Sequence, residues 1–511
     1  MTQVSVSSVA YEPRLRLVRD EKAIEAEGRQ ARNVADIAVL VPKRPLVVDL
    51  DGTLVRSDLL IETAFSELGT RPQSIFDMVR ALGQGKAALK HRLAQPVEFD
   101  PSILPYDDEV LAYIRRARAE GRPVYLASAS NRRLVEAVAD HLGLFTGWFA
   151  SDQDNNLAGQ SKARLLVAQF GPRGFDYVGN DAADLPVWSQ AAHSIAIRAP
   201  AKVARQLSVI APTAEYLSHE RPTWRTWAQL LRVHQYAKNA LVFVALLAAH
   251  VFELAAFGNA ALAFVAFSLC ASSVYLLNDL IDLRDDRLHH SKCNRPLACG
   301  AIPLMHGVMA VPVLFAGSLA VAALVSLPFL ALLLGYFAIT LAYSLKLKRL
   351  MLVDVVTLAS LYTVRVIGGA IAVQVFVSPW LLAFCMSLFV SLALVKRYVE
   401  LQARLDANKP DPTSRGYRNS DVGMVAPLAA AAGFNAVTVF ALYISTDAVR
   451  AFYAKPEVLW LACPVLIYWI ARILMLAHRR EMPDDPVVFA IKDRVSLMSL
   501  AVLGGLVLVA I

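Results

Sequence analysis

Charged residues are scarce in this chain of 511 residues: Asp, Glu, Lys and Arg together make up 18%, where a soluble domain carries about 25%. Hydrophobic residues fill the gap at 56%, above the roughly 45–50% of a globular protein. A single soluble domain and a disordered chain are both excluded. Cysteine is sparse too. Cys270, Cys293, Cys299, Cys385 and Cys463 all lie in the second part, with no C-x-x-C and no His/Cys ligand spacing. That excludes a secreted disulfide scaffold and gives no zinc pattern. Residues 1–44 mix Arg, Glu and Asp without an apolar core segment, so no signal peptide is read there and the part that follows is expected to stay in the cytoplasm.

The remaining charge is unevenly placed. From Arg221 onward there are 25 Lys/Arg against 16 Asp/Glu, and before it 26 against 27. The net +8 therefore comes from the apolar second part. Its basic residues sit between hydrophobic runs, which argues for a bilayer rather than nucleic acid as the partner.

The chain reads as multidomain. Residues 1–44 form a flexible or partly helical leader, 45–200 an α/β domain, 201–235 a charged helical connector, and 236–511 a membrane domain. In the α/β part, the β-type runs PLVVDL, PVYLAS, FDYVG and HSIAI alternate with helical stretches, the pattern of a parallel, Rossmann-like sheet. Nine apolar segments follow, near 239–257, 260–281, 305–325, 329–345, 352–373, 379–395, 424–446, 458–477 and 495–511. Several approach the roughly 20 residues that span a bilayer, so an all-α polytopic bundle of about nine transmembrane helices is expected. The loops after the even-numbered segments carry 17 Lys/Arg, the opposite loops only Arg450 and Lys455. By the positive-inside rule the basic loops, and the α/β domain with them, lie on the cytoplasmic side.

Asp49 and Asp51 stand one residue apart at the end of an apolar strand, in D-L-D-G-T-L. A loop after a strand lets both carboxylates converge, one as nucleophile and one as acid/base. Ser128 ends PVYLAS, a hydroxyl able to hold a phosphoryl oxygen, and Lys162 is a cation able to neutralise phosphate and nucleophile. Gly179-Asn180-Asp181-Ala182-Ala183-Asp184 is acidic enough to complete an oxygen-ligated Mg²⁺ site.

This ordered set resembles the haloacid dehalogenase (HAD) phosphatase superfamily over about 45–200. The resemblance implies Asp49 as the nucleophile that forms an aspartyl-phosphate and Asp51 as general acid/base. It also implies Ser128 and Lys162 as phosphate binders, with Asp49, Asp181 and Asp184 on Mg²⁺. The family's last motif usually reads G-D-x-x-x-D, and Asn180 here replaces the first acid. The alternative to catalysis is a HAD fold kept for docking or regulation.

In the membrane part, Asn278, Asp282 and Asp286 recur every four residues, with Asp279 alongside. Residues at i, i+4 and i+8 share one helix face, where stacked oxygen groups repel unless a cation sits between them. Mg²⁺ held by carboxylates and substrate phosphates suits that place, and acids at a membrane helix end carry a functional expectation. His289, Lys292, Arg295, Pro296 and Gly300 follow at once. Cations beside a metal-holding helix suit a diphosphate.

N-D-x-x-D-x-x-x-D followed by H-x-x-K-x-x-R-P-x-x-x-G resembles the UbiA superfamily of intramembrane prenyltransferases over about 225–511. The resemblance implies a nine-span bundle with its chemistry at the cytoplasmic mouth, with Asp282 and Asp286 as catalytic acids. It adds Tyr343, Ser344, Lys348, Asp354 and Arg365 as the second conserved region. Aromatic prenyltransferases tend to carry a second D-x-x-x-D there, but Leu358 stands four residues after Asp354. Arg232, Gln235, Lys238 and Asn239, then Lys396-Arg397-Tyr398 through Leu401, and Asp485 with Lys492, Asp493 and Arg494, resemble the polyprenyl-phosphate phosphoribosyltransferase branch. That implies phosphoribosyl diphosphate as donor and a polyprenyl phosphate as acceptor, with Lys348, Lys396, Arg397 and Arg494 as cations for the donor. The competing expectations are a prenyl transfer from polyprenyl diphosphate to an aromatic acceptor, or a transporter or membrane scaffold with a pseudo-phosphatase head.

Overall fold

The computed structural model describes residues 43–71, 73–83, 92–93, 99–152, 155–412, 415–483 and 485–511. The leader, apart from Lys43 and Arg44, lies outside the described residues.

The first apolar run becomes β1 (Leu46–Val48), wholly buried. Asp58 then accepts hydrogen bonds from Leu60 N and Ile61 N and so caps α1 (Leu59–Thr70), satisfying donors that a helix start leaves free. The domain continues through α2 (Ser74–Gly83), α3 (Asp108–Ala119), β2 (Val124–Asn131), α4 (Arg132–Leu142), β3 (Gly147–Ser151) and α5 (Gln160–Phe170). It closes with β4 (Asp176–Gly179), α6 (Leu185–Trp188), β5 (His193–Ala196), α7 (Ala201–Ile210) and β6 (Glu215–Tyr216). The six strands are parallel in the order β3-β2-β1-β4-β5-β6. The chain crosses from β1 to β2 on one side and resumes with β4 on the other, which makes the carboxyl end of β1 the switch point where ligands bind in such sheets. Strands β3 and β6 lie at the edges. Residues 201–216, expected as connector, belong to this domain: α7 buries Val203 and Leu207 in its core, and β6 pairs with β5.

Beyond α8 (Trp224–Leu230) the chain is helical: α9 (Val242–Ala248), α10 (Leu254–Ile281), α11 (Leu283–Leu288), α12 (Leu304–Val325), α13 (Leu327–Leu345), α14 (Val353–Ala372) and α15 (Pro379–Asp406). Then come α16 (Val422–Ile444), α17 (Asp447–Phe452), α18 (Ala462–His478), α19 (Pro486–Lys492) and α20 (Arg494–Ala510). About nine spans are expected from the sequence. Among the described residues seven helices are long and apolar enough to cross a membrane, or eight if the pair α19–α20, bent by 76°, makes one span. The first expected segment fails because a 3-10 stretch (Val233–Leu241) gives way to α9, which has only seven residues. At 1.5 Å per residue α9 rises about 10 Å, a third of the hydrocarbon thickness. At the α19–α20 bend Asp493 caps α20 through Ser496 N and pairs with Arg472 of α18. Both halves belong to one unit, Arg44–Ile511.

Candidate functional site

Asp49 leaves β1 buried, with Oδ1 accepting a 2.7 Å hydrogen bond from Lys162 Nζ in the first turn of α5. Burial pushes the Asp49 carboxyl up, against the pull of Lys162. Lys162 is buried too, which works against its charge, but Asp49 and Asp184 outweigh that and hold its ammonium above the ordinary value. Asp51 accepts from Ser128 Oγ at 3.1 Å, Ser130 Oγ at 2.6 Å and Leu59 N at 2.9 Å. Three donors fix this carboxyl beside the nucleophile. Ser128 is thus placed on Asp51, and the neighbouring Ser130, Thr53 and Tyr177 are members that sequence reading missed.

The last motif divides its roles. Asp184 is closed off: Asn180 N and Asp181 N donate to Oδ2, and the Tyr177 hydroxyl donates to Oδ1. Asp181 is exposed and caps the 3-10 turn Ala182–Asp184. Asn180 faces inward instead, its Oδ1 accepting from Thr53 Oγ1 at 3.1 Å while Asp49 Oδ2 lies 3.4 Å from the same hydroxyl. The two groups that converge as hard oxygen donors are therefore Asp49 and Asn180, one carboxylate and one amide. Gly52, at φ +74°, has no room for a Cβ because the Asn180 amide fills that place.

At the bundle end, α10 stops at Ile281 and α11 starts at Leu283. The hydrogen bonds Asp282 N to Asn278 O (2.8 Å) and Asp286 N to Asp282 O (2.9 Å) keep the four-residue register across the break. Asn278 donates through Nδ2 to Ser344 Oγ at 3.0 Å, and Asp282 lies 3.6 Å from Lys348. Asp279 pairs with Arg232 and, at 3.0 Å, with Arg295, whose guanidinium also binds Asp286. Burial, with Asp279 nearby, raises the Asp286 carboxyl to about 6 against the pull of Arg295. Among the described residues no three His, Cys, Asp or Glu side chains could hold a metal by themselves. That donor set still fits Mg²⁺, which is usually held by one or two carboxylates with the rest of its shell from water and substrate phosphates. Lys292 is exposed on the following loop.

The second conserved region is closed. Asp354 is wholly buried, its oxygens taken by Arg397 Nε at 2.6 Å, Tyr417 OH at 2.7 Å and Val355 N at 2.7 Å. Arg397 also binds Glu400 and, at 3.2 Å, the Tyr343 hydroxyl, which accepts from Arg415 as well. Lys238 is paired with Asp485. Arg365 is buried and donates to Asn239 Oδ1, Leu361 O and Tyr336 OH. The four cations expected to act together have different settings. Lys348 faces Asp282, Arg397 is locked to Asp354, Lys396 is half-buried, and Arg494 is exposed at the start of α20.

A phosphatase-like sheet and an acid-and-arginine bundle mouth on one chain define a two-part membrane enzyme. The UbiA prenyltransferase family matches residues 239–500, and the haloacid dehalogenase-like hydrolases match 46–189. The chain belongs to the UbiA prenyltransferase family and carries an N-terminal HAD-like domain; it is a transferase and a multi-pass membrane protein. It is 35% identical over 473 residues to protein y4nM of Sinorhizobium fredii, covering 92% of each chain. It is 31% identical over 288 residues to the decaprenyl-phosphate phosphoribosyltransferase of Mycolicibacterium smegmatis, covering 54% of this chain and 89% of that one. Its fold is also similar to a UbiA homolog from Archaeoglobus fulgidus bound to GPP and Mg²⁺, at 16% identity and a TM-score of 0.44, over 55% of this chain and 99% of that one.

Proposed function

We propose that the membrane domain transfers phosphoribose from phosphoribosyl diphosphate to a polyprenyl phosphate, in a step of cell-envelope sugar assembly on the cytoplasmic side. Asn278, Asp282 and Asp286 would hold Mg²⁺, with Asp279 ordering the arginines beside them. When bound, the ion draws charge from the departing pyrophosphate. Arg295 and Lys292 bind the diphosphate oxygens, Lys348 pairs with Asp282, and Lys238 with Asp485, Arg365 and Lys396 supply further polar groups for the donor. The acceptor's phosphate oxygen then attacks the sugar's anomeric carbon as its bond to pyrophosphate breaks. The observation that carries the choice of donor is the closure of Asp354 by Arg397 and Tyr417. A plain prenyl diphosphate with a second metal would call for open acids there, and the similarity to the Mycolicibacterium smegmatis enzyme runs the same way.

The HAD-like domain would then remove the product's 5-phosphate. Asp49 attacks phosphorus, Asp51 protonates the leaving sugar oxygen, and Lys162 neutralises charge on the transferring group. Water releases phosphate from the aspartyl-phosphate with Asp51 as base. Asp49 and Asn180 would hold Mg²⁺ with one carboxylate fewer than the usual motif supplies. The test is a donor comparison in one membrane preparation with Mg²⁺. Turnover of phosphoribosyl diphosphate onto polyprenyl phosphate is expected. Turnover only of prenyl diphosphate onto a hydroxybenzoate-type acceptor would reverse the assignment.

A further inference from the structure

Arg287 directly follows Asp286, yet its guanidinium turns away from the acids. Nη1 and Nη2 bind the two oxygens of Glu62 at 2.9 and 2.6 Å, a two-toothed pair across 225 residues of sequence. Nε donates to Ala298 O at 3.0 Å, within the loop that carries Lys292 and Arg295. Glu62 belongs to α1 of the HAD-like domain and also accepts from Ser57 Oγ. The pair is enclosed, the Arg287 side chain being 5% exposed and that of Glu62 14%. Around it the two domains are in close contact. Ile61 and Phe65 pack on the cluster of Leu276, Leu280, Leu283 and Leu297. Gly300, at φ +71°, ends the loop against Arg56, where a Cβ would collide with the Arg56 carbonyl oxygen.

A buried guanidinium keeps its place only while its charge is compensated. With Glu62 present, Arg287 is neutralised and Arg295 is the cation left to bridge Asp279 and Asp286. Without that carboxylate, Arg287 becomes an unpaired charge one residue from Asp286 and competes with Arg295 for it. We propose that Glu62, on the phosphatase-like half, is a positioning residue of the membrane transferase. It holds Arg287, and through Arg287 the loop His289–Gly300 that presents Lys292 and Arg295 to the diphosphate. The proposal rests on the transferase reading given above.

The experiment uses the full chain in detergent and compares wild type with Glu62→Gln, Glu62→Asp and Arg287→Lys. Lysine keeps the charge of residue 287 but loses the planar fork, and it serves if the Gln variant does not fold. Two readouts are taken: hydrogen exchange of the amides of 289–300, and KM for phosphoribosyl diphosphate against kcat. Expected are exchange at least five-fold faster in that loop and a KM raised about ten-fold with kcat within three-fold, partly restored in Glu62→Asp. Unchanged exchange with unchanged KM overturns the proposal. So does faster exchange with an unaltered KM, or a fall in kcat alone. Absence of transfer by the wild type would sink the transferase reading, and the exchange result would still decide whether Glu62 holds the loop.

Discussion

Replacing Asp354 by Asn separates a metal-ligand role from a structural one. The carboxylate accepts three hydrogen bonds, from Arg397 Nε, Tyr417 OH and Val355 N. An Asn side chain has one oxygen, so its NH₂ must face a group that already donates. The substitution removes at least one charge-assisted hydrogen bond, about 1.5–3 kcal/mol, and half-uncovers a buried guanidinium, for which losing a partner costs about 3–5 kcal/mol. Glu400 still binds Arg397, which places the expected loss near the overlap of those ranges, about 3 kcal/mol. That is roughly a hundred-fold in the folded-to-unfolded ratio. Denaturant or thermal unfolding of the detergent-solubilised chain reads the stability, and calorimetric titration reads Mg²⁺ affinity. A clear loss of stability with an unaltered Mg²⁺ Kd is expected. Wild-type stability combined with Mg²⁺ binding weakened ten-fold or more would show Asp354 to be an open metal ligand and refute the reasoning.

Lys162→Ala should lower phosphate release from a phosphomonoester by about 10²-fold or more, since it removes a cation hydrogen-bonded to Asp49; transferase turnover, measured in the same sample, should hold. Asn180→Asp adds a carboxylate where Asp49 already converges, so a higher Mg²⁺ affinity of the HAD-like domain and faster phosphate release are expected; a slower variant would argue against metal at that position. Asp107 is buried, which opposes its charge, but Arg198 and Arg56 outweigh burial and hold its carboxyl below the ordinary 3.8. A depressed folded value means that its stabilisation is complete above about pH 4 and is lost as pH falls below that. Asp107→Asn should cost roughly 2 kcal/mol at neutral pH and flatten the loss of stability as pH falls below about 4, as followed by urea midpoints.

Strand-end chemistry was legible because it is local. Asp49, Asp51 and Ser128 stand at the ends of apolar runs, and strands entering one parallel sheet bring their carboxyl ends together. Lys162 comes from the first turn of α5 instead, and in the last motif it is Asn180, not the expected Asp181 or Asp184, that turns toward Asp49. Ser130, Thr53 and Tyr177 were not legible, because a serine, threonine or tyrosine near a strand carries no mark of its hydrogen-bond partner. Edge strands β3 and β6 escaped notice as well: a strand paired on one side can be short or only half-buried, as GWFAS and EY are. The first apolar segment misled for a different reason. Hydropathy records affinity for lipid, whereas Arg232 and His250 at positive φ bracket a stretch whose backbone departs from a continuous α-helix. The Glu62–Arg287 pair had no sequence signal at all, since both residues look like ordinary exposed charges until the two domains meet.

The kink before the C-terminal helix bears on how this chain enters a bilayer during synthesis. Arg472 emerges from the translocation machinery with a helix that lipid would otherwise receive, and its counter-charge is still some twenty residues behind. A lone arginine weighs against insertion, by about 2.5–3.5 kcal/mol at a helix centre and less toward its end, and Arg472, six residues from the end of Pro456–His478, has its charge met by Asp493. The last two hydrophobic stretches are thus charge-balanced at this point only as a pair, and a chain cut between them would leave Arg472 without its carboxylate.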